Sequence, residues 1–215
     1  MNYLAIVNKV LIRLREPEVT SVQDNPYSKL IGEFVNVVKR EVEDGHNWSA
    51  LRTDLTVSTV AGTSTYSLPN STIRTRFLDV ENTTSPNKYE VLYQTREWFD
   101  QAFRTDTPNT DKPYYYNISG VDSNGQLTVK VFPIPDAVYT LNFSVVNPQN
   151  DLDDDNDVLS IPQQVVIEGA LSRAISERGD DGGYTEQEAR YSKIASDYIA
   201  IDSGYRPEES IWYPV

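Results

Sequence analysis

The chain has 215 residues, enough for one large domain or two smaller parts that bury a core of their own. Its 32 acidic residues outnumber 19 basic ones, giving a formal net charge of −13, and no basic run exceeds Lys39-Arg40, which argues against a dedicated surface for gripping duplex DNA. The absence of cysteine excludes disulfides, thiolate nucleophiles and cysteine-ligated metal centres, and no stretch approaches the roughly 20 apolar residues of a membrane span, so the sequence reads as a soluble product made in the cytoplasm.

From Tyr3 to Leu14 the residues Leu4, Val7, Val10, Leu11 and Leu14 recur at helical spacing, and Glu16-Pro17 stops the pattern. Asn25 and Pro26 supply an N-cap and a proline at the first helical position. Leu30, Ile31, Phe34, Val38 and Val42 then form one apolar stripe that ends at Gly45. The short connector predicts that these two helices run antiparallel.

Beyond Trp48 the period shifts toward two. Leu55, Val57, Tyr66, Leu68, Phe77 and Val80 sit in β-branched or aromatic runs interrupted at Ala61-Gly62 and Pro69-Asn70, which predicts short antiparallel strands from about Thr53. A brief helix is expected over Thr95 to Phe103, with Thr95 as cap and Trp98, Phe99, Ala102 and Phe103 on one face, plugging the sheet. Tyr114 to Val121 and Gln126 to Phe132 flank Ser123-Asn124-Gly125, a hairpin signal in which Asn-Gly supplies positive φ; Val138 to Val146 adds another strand.

Two more helices follow. Ser160 and Gln163 have capping-box spacing before a helix through Val166, Ala170, Leu171, Ala174 and Ile175 to Gly179. Thr185 and Glu188 repeat that spacing before a helix carrying Ala189, Tyr191, Ile194, Ala195, Tyr198 and Ile199, with Gly204 as its stop. The expected class is α+β: a helical bundle built from N- and C-terminal helix pairs, with an inserted antiparallel β lobe. The corresponding parts are a discontinuous bundle over 1–50 and 159–204, a β lobe over 51–149, an acidic connector over 150–158 and a C-terminal tail over 205–215.

The connector reads NDLDDDNDV, five aspartates in nine positions. An EF-hand loop beginning at Asp151 would use Asp153 and Asp155, but it needs glycine at its sixth place and a bidentate glutamate at its twelfth, where Asn156 and Pro162 stand. The reading preferred here is a solvated joint into the next helix, with Asp151, Asp153 and Asp155 as a calcium-site alternative. The single histidine, His46, reads as a helix C-terminal partner. No glycine-rich phosphate loop, G-x-S-x-G elbow or H-E-x-x-H motif occurs, so neither an enzyme nor a cofactor is expected. In the tail YRPEESIWYPV, the residues Tyr205, Ile211, Trp212 and Tyr213 are expected either to anchor a partner or to fold back on the protein's own core.

Three strings, NWSALRTDLTVSTVAGTSTYSLP (47–69), KPYYYNISG…GQLTVKVFPIPDAVYTLNFSVV (112–146) and LSIPQQVVIEGALSRAISERG (159–179), together resemble head-to-tail adaptors of tailed bacteriophages of the tail tubular protein A type. The markers are Trp48 after the second helix, the strand end Tyr66 to Pro69, the strand start at Lys112 and the turn Pro133 to Asp136. The resemblance implies a structural virion protein at the head-tail junction. It would form a homo-oligomeric ring, typically of twelve copies, between the portal protein and the tail nozzle or tube protein, with phage DNA passing through non-specifically and Asp151 to Asp157 as candidate channel residues. A soluble calcium-binding or carbohydrate-active module using the Asp151 to Asp157 loop is the alternative.

Overall fold

A computed structural model describes residues 1–84, 86, 88–104, 109–179 and 183–204. In chain order the elements are α1 (Tyr3–Arg13), α2 (Pro26–Gly45), a 3-10 turn (Ser49–Leu51), β1 (Arg52–Ser58), β2 (Thr65–Ser67), β3 (Arg76–Asn82), β4 (Tyr89–Glu90), β5 (Leu92–Tyr93), α3 (Arg96–Ala102), β6 (Tyr115–Val121), β7 (Leu127–Phe132), β8 (Thr140–Val146), α4 (Gln163–Arg178) and α5 (Tyr184–Gly204). The chain divides into a helical unit, Met1–Leu51 with the described residues from Gln149 onward, and a β unit, Arg52–Pro148. The class is α+β, with a helix pair at each end of the chain and a β lobe between them.

In the helical unit, local caps start the first two helices. Asn2 accepts the Ala5 N–H at 3.1 Å, and Asn25 and Ser28 form a reciprocal capping box ahead of Pro26. Tyr3 lies against Gly32 and Asn36 in the middle of α2, whereas Leu14 and Tyr27 both bind Arg178, so α1 and α2 run antiparallel. α4 touches α1, α2 and α5, and Val165 through Ser172 are all buried on it, which makes α4 the central helix of the unit. At Gly169 a Cβ would stand 2.6 Å from Val38 Cγ1 and 2.9 Å from Tyr191 Cε2, so only glycine lets α2 and α5 approach α4 this closely.

Neither expected capping box forms on the last two helices. α4 begins at Gln163 with Pro162 at the cap position and no side-chain cap. The Ser160 N–H, which a box would direct to Gln163, donates instead to Gln149 Oε1 at 3.1 Å. α5 begins at Tyr184, ahead of Thr185, and the Glu188 carboxylate accepts the Ser172 hydroxyl across the helix pair at 2.6 Å. In both cases a tertiary partner holds a group that the local motif would use.

The β unit contains two four-stranded sheets, β1-β8-β3-β4 and β2-β7-β6-β5. Among the described residues the strands pair antiparallel except for the two-residue parallel pair of β5 with β6, and a single parallel bridge joins Thr110 to Ile134. Leu55, Val57, Val80, Leu141, Phe143 and Val145 from the first sheet share one core with Tyr116, Val129 and Val131 from the second. In the turn between β6 and β7 Gly125 alone takes a positive φ, of 79°, and the Asp122 carboxylate accepts the N–H groups of Asn124 and Gln126; the Asn-Gly pair is not a two-residue turn. α3 is capped by Thr95 and lays Trp98 against Tyr115 and Phe132. Those two residues face away from the shared core, since their strand neighbours Tyr116 and Val131 supply it. α3 therefore covers the outside of the second sheet.

Candidate functional site

The acidic connector is the densest polar feature of the helical unit, and α2 holds it. Asn36, Lys39, Arg40 and Glu43 fall at i, i+3, i+4 and i+7 and so share one helix face. Asn36 Nδ2 donates to Leu152 O at 3.0 Å, and the Leu152 N–H returns to Asn36 Oδ1 at 2.9 Å. Lys39 and Glu43 are both fully buried, with Nζ and Oε1 3.3 Å apart. Between them they grip one residue: Nζ donates to Gln149 O at 2.7 Å, and Glu43 Oε1 accepts the Gln149 N–H at 3.3 Å. Arg40 forms a two-pronged pair with Asp151, both prongs at 2.9 Å.

The Gln149 side chain closes the loop. Its Nε2 donates to Val158 O at 2.8 Å and its Oε1 receives the Ser160 N–H, so the two ends of the connector are tied through one amide. From the other side, the unpaired first N–H groups of α1 supply bonds: Tyr3 donates to Asp157 O at 2.9 Å and Leu4 to Asp155 O at 3.1 Å.

The aspartates serve this folding. Asp155 Oδ1 accepts the Val22 N–H from the α1–α2 loop. Asp157 accepts the N–H groups of Asp154 and Asp153, which hold its carboxyl below the usual range. Asp154 accepts the Asn156 N–H. Asp151 points to Arg40 and Asp155 to Val22, an arrangement that gives the calcium alternative at Asp151, Asp153 and Asp155 no support. Among the described residues no group of three or more His, Cys, Asp or Glu side chains could hold a metal ion.

A second polar centre knits the helices together. Glu168 on α4 is fully buried and receives Arg13 from α1 at 2.8 Å, Gln187 from α5 at 2.7 Å and its own neighbour Gln164 at 2.5 Å, with Arg190 at 3.4 Å. Burial alone would raise its pKa, but the hydrogen bonds from Gln187 and Arg13 and the charges of Arg13 and Arg190 outweigh it and lower the value. His46 is the C-cap residue of α2. Its Nε2 lies 2.9 Å from Asp202 Oδ2, its ring meets Trp48 edge-on, and Asp202 also accepts the Ser49 N–H. Trp48 itself is buried and donates to Val42 O at 2.7 Å, satisfying a carbonyl in the last turn of α2. The Ser49 hydroxyl donates to the same carboxylate at 3.4 Å, so Asp202 ties the end of α2 and the turn after it to α5, a structural role for the histidine and tryptophan.

Tyr205, Ile211, Trp212 and Tyr213, the expected partner anchors, lie outside the described residues. Of the residues that organise the helical unit, Asn36, Glu43 and Glu168 carry no sequence-based expectation, and Lys39 enters only as half of the short basic run Lys39-Arg40. Their one visible signal is polar residues at helical spacing, which usually marks a solvated face. No helix among the described residues is long and apolar enough to cross a membrane.

Compared with known proteins, the chain matches the model of one family, SU10 adaptor protein, over residues 1–209. No curated protein matches it.

Proposed function

This chain belongs to the SU10 adaptor protein family and is thus a structural adaptor of the bacteriophage virion; from that premise we propose that it forms a ring between the portal vertex of the capsid and the tail. The match over residues 1–209 carries this reading. It names the adaptor and no finer subtype such as tail tubular protein A.

Within the ring, portal protein lies on one side and the tail nozzle or tube protein on the other, and the genome passes through the opening. A net charge of −13 supports that last role, because like charge keeps DNA from adhering as it is packaged and ejected. Oligomer formation is supported by α5. Only Asp202 is buried on this 21-residue helix, while Ile194, Tyr198 and Ile199 are half-covered and Tyr184 and Ile201 are exposed, a face suited to burial against another subunit. The adaptor works by holding and positioning, without catalysis.

Light scattering tests the ring. The protein alone, or mixed with the portal protein of the same phage, should give a species of about twelve times the 24.4 kDa chain mass. A monomer under both conditions would overturn the reading. We further propose that Tyr205, Ile211, Trp212 and Tyr213 anchor the portal. Deleting residues 205–215 should leave circular dichroism and melting unchanged while weakening portal binding about ten-fold or more; wild-type binding by the truncation would remove the anchor.

A further inference from the structure

The positive feature of greatest interest on this acidic chain lies at the opposite end of α1 from the connector. A cleft of about 270 Å³ is lined by Arg13, Leu14, Arg15, Ile175 and Arg178, three arginines on an aliphatic floor with no acid among the lining residues. Two of the arginines already serve the fold. Arg13 binds buried Glu168, and Arg178 donates to Tyr27 Oη, Leu14 O and Glu16. Arg15 is different. Its side chain is exposed and, among the described residues, makes no hydrogen bond or ion pair. Its backbone sits at φ 60°, just past the end of the helix, where glycine would carry no Cβ penalty.

At the other end of α1, Asp153 is the counterpart. It is exposed, and of the five connector aspartates it is the one whose carboxylate has no partner among the described residues. Its neighbour Asp154 is also exposed and uses only Oδ1, for the Asn156 N–H. Eleven residues of helix separate the two places by about 16 Å.

We infer that the Arg13-Arg15-Arg178 cleft of one copy receives the Asp153-Asp154 turn of the next copy. This inference rests on the ring reading. A ring closes through heterologous contacts, in which two different patches of the same chain meet, and complementary uncommitted charges at opposite ends of one helix provide such a pair. The guanidinium fork of Arg15 suits a carboxylate geometrically, and Leu14 and Ile175 give the pair an aliphatic floor. The same guanidiniums could hold a nucleic acid phosphate, but the acidity of the whole chain repels that partner.

A charge swap tests the contact. Ring mass is followed by light scattering against protein concentration and salt, with portal protein present if the wild type needs it. Arg15→Glu and Asp153→Arg should each weaken assembly about ten-fold or more, and the double variant should recover most of the loss, because every interface then carries the reversed pair. Both side chains are exposed and unengaged, so circular dichroism of the variants should match wild type. Wild-type assembly by Arg15→Glu would overturn the cleft assignment while leaving the ring reading intact. If that variant also lost retention on duplex DNA, the cleft would be a phosphate site instead. A wild type that stays monomeric with and without portal would overturn both readings.

Discussion

Replacing Lys39 with methionine would leave the Glu43 carboxylate in the interior without its cation. Both groups are 0% exposed and sit one turn apart on α2, so solvent cannot take over the role of the ammonium. Removing one member of a buried pair typically costs about 3–5 kcal/mol. The Gln149 carbonyl also loses a 2.7 Å donor, which adds about 1 kcal/mol or more, and the methionine side chain recovers part of that through apolar packing. The net expectation is a loss of about 4 kcal/mol, or on the order of 10 °C in Tm for a chain of this length. Urea and thermal unfolding followed by helical circular dichroism at 222 nm would measure it. The double variant Lys39→Met with Glu43→Leu removes both charges and should regain at least half of the loss, short of full recovery because the Gln149 N–H and C=O remain unserved. A single variant within about 1 kcal/mol of wild type, or a double variant worse than the single, would refute the view that this pair fastens the connector.

Gly169→Ala should cost about 1–3 kcal/mol in urea unfolding, because its Cβ would collide with Val38 and Tyr191; an unchanged midpoint would mean that the three helices can spread at no expense. Glu168 has a lowered folded pKa, so its contribution to stability is complete above the unfolded value of about 4.3 and is lost as pH falls through the folded value. Glu168→Gln should therefore flatten the acid limb of a stability profile recorded from pH 6 to 2, and an identical slope in that variant would contradict the assignment. Millimolar calcium or a chelator should move Tm by less than about 1 °C, since a bound ion would stabilise the folded state by mass action; a clear upward shift with calcium would reopen the connector as a metal site.

Where a helix end is made by neighbours in sequence, it could be read from sequence. Asn25-Pro26 and Thr95 cap their helices as their spacing predicts, and Gly179 takes the left-handed conformation at φ 68° that ends α4. Ser160 and Thr185 also carry a local capping signature and fail, because Gln149 and Ser172, 11 residues from Ser160 and 16 from Glu188, compete for the groups the boxes require. The β unit divides in the same way. Alternation in Leu141, Phe143 and Val145 predicts a strand with one buried face, but nothing in that alternation tells β8 to lie between β1 and β3, nearly 90 and 65 residues away along the chain. Sheet order is a property of the closed core, to which each strand contributes only a period.

The same limit explains why the connector attracts a metal reading. Aspartate density is a signal for cation binding when carboxylates converge, yet a short acidic side chain is equally good at accepting backbone N–H groups in a segment with no helix or ladder of its own. Asp155 and Asp157 do the second, Asn36 from α2 serves both backbone groups of Leu152, and Lys39 and Glu43 hold Gln149 at the connector's threshold. In sequence, Lys39 and Glu43 are an ordinary i, i+4 pair that would be assigned to solvent. Their burial follows from a segment 110 residues later lying over them, and that same segment leaves Asp153 as the carboxylate with no partner among the described residues. The folding role of four aspartates is thus what isolates the fifth, and it turns a diffuse acidic run into one specific residue whose reversal can be tested for its effect on assembly.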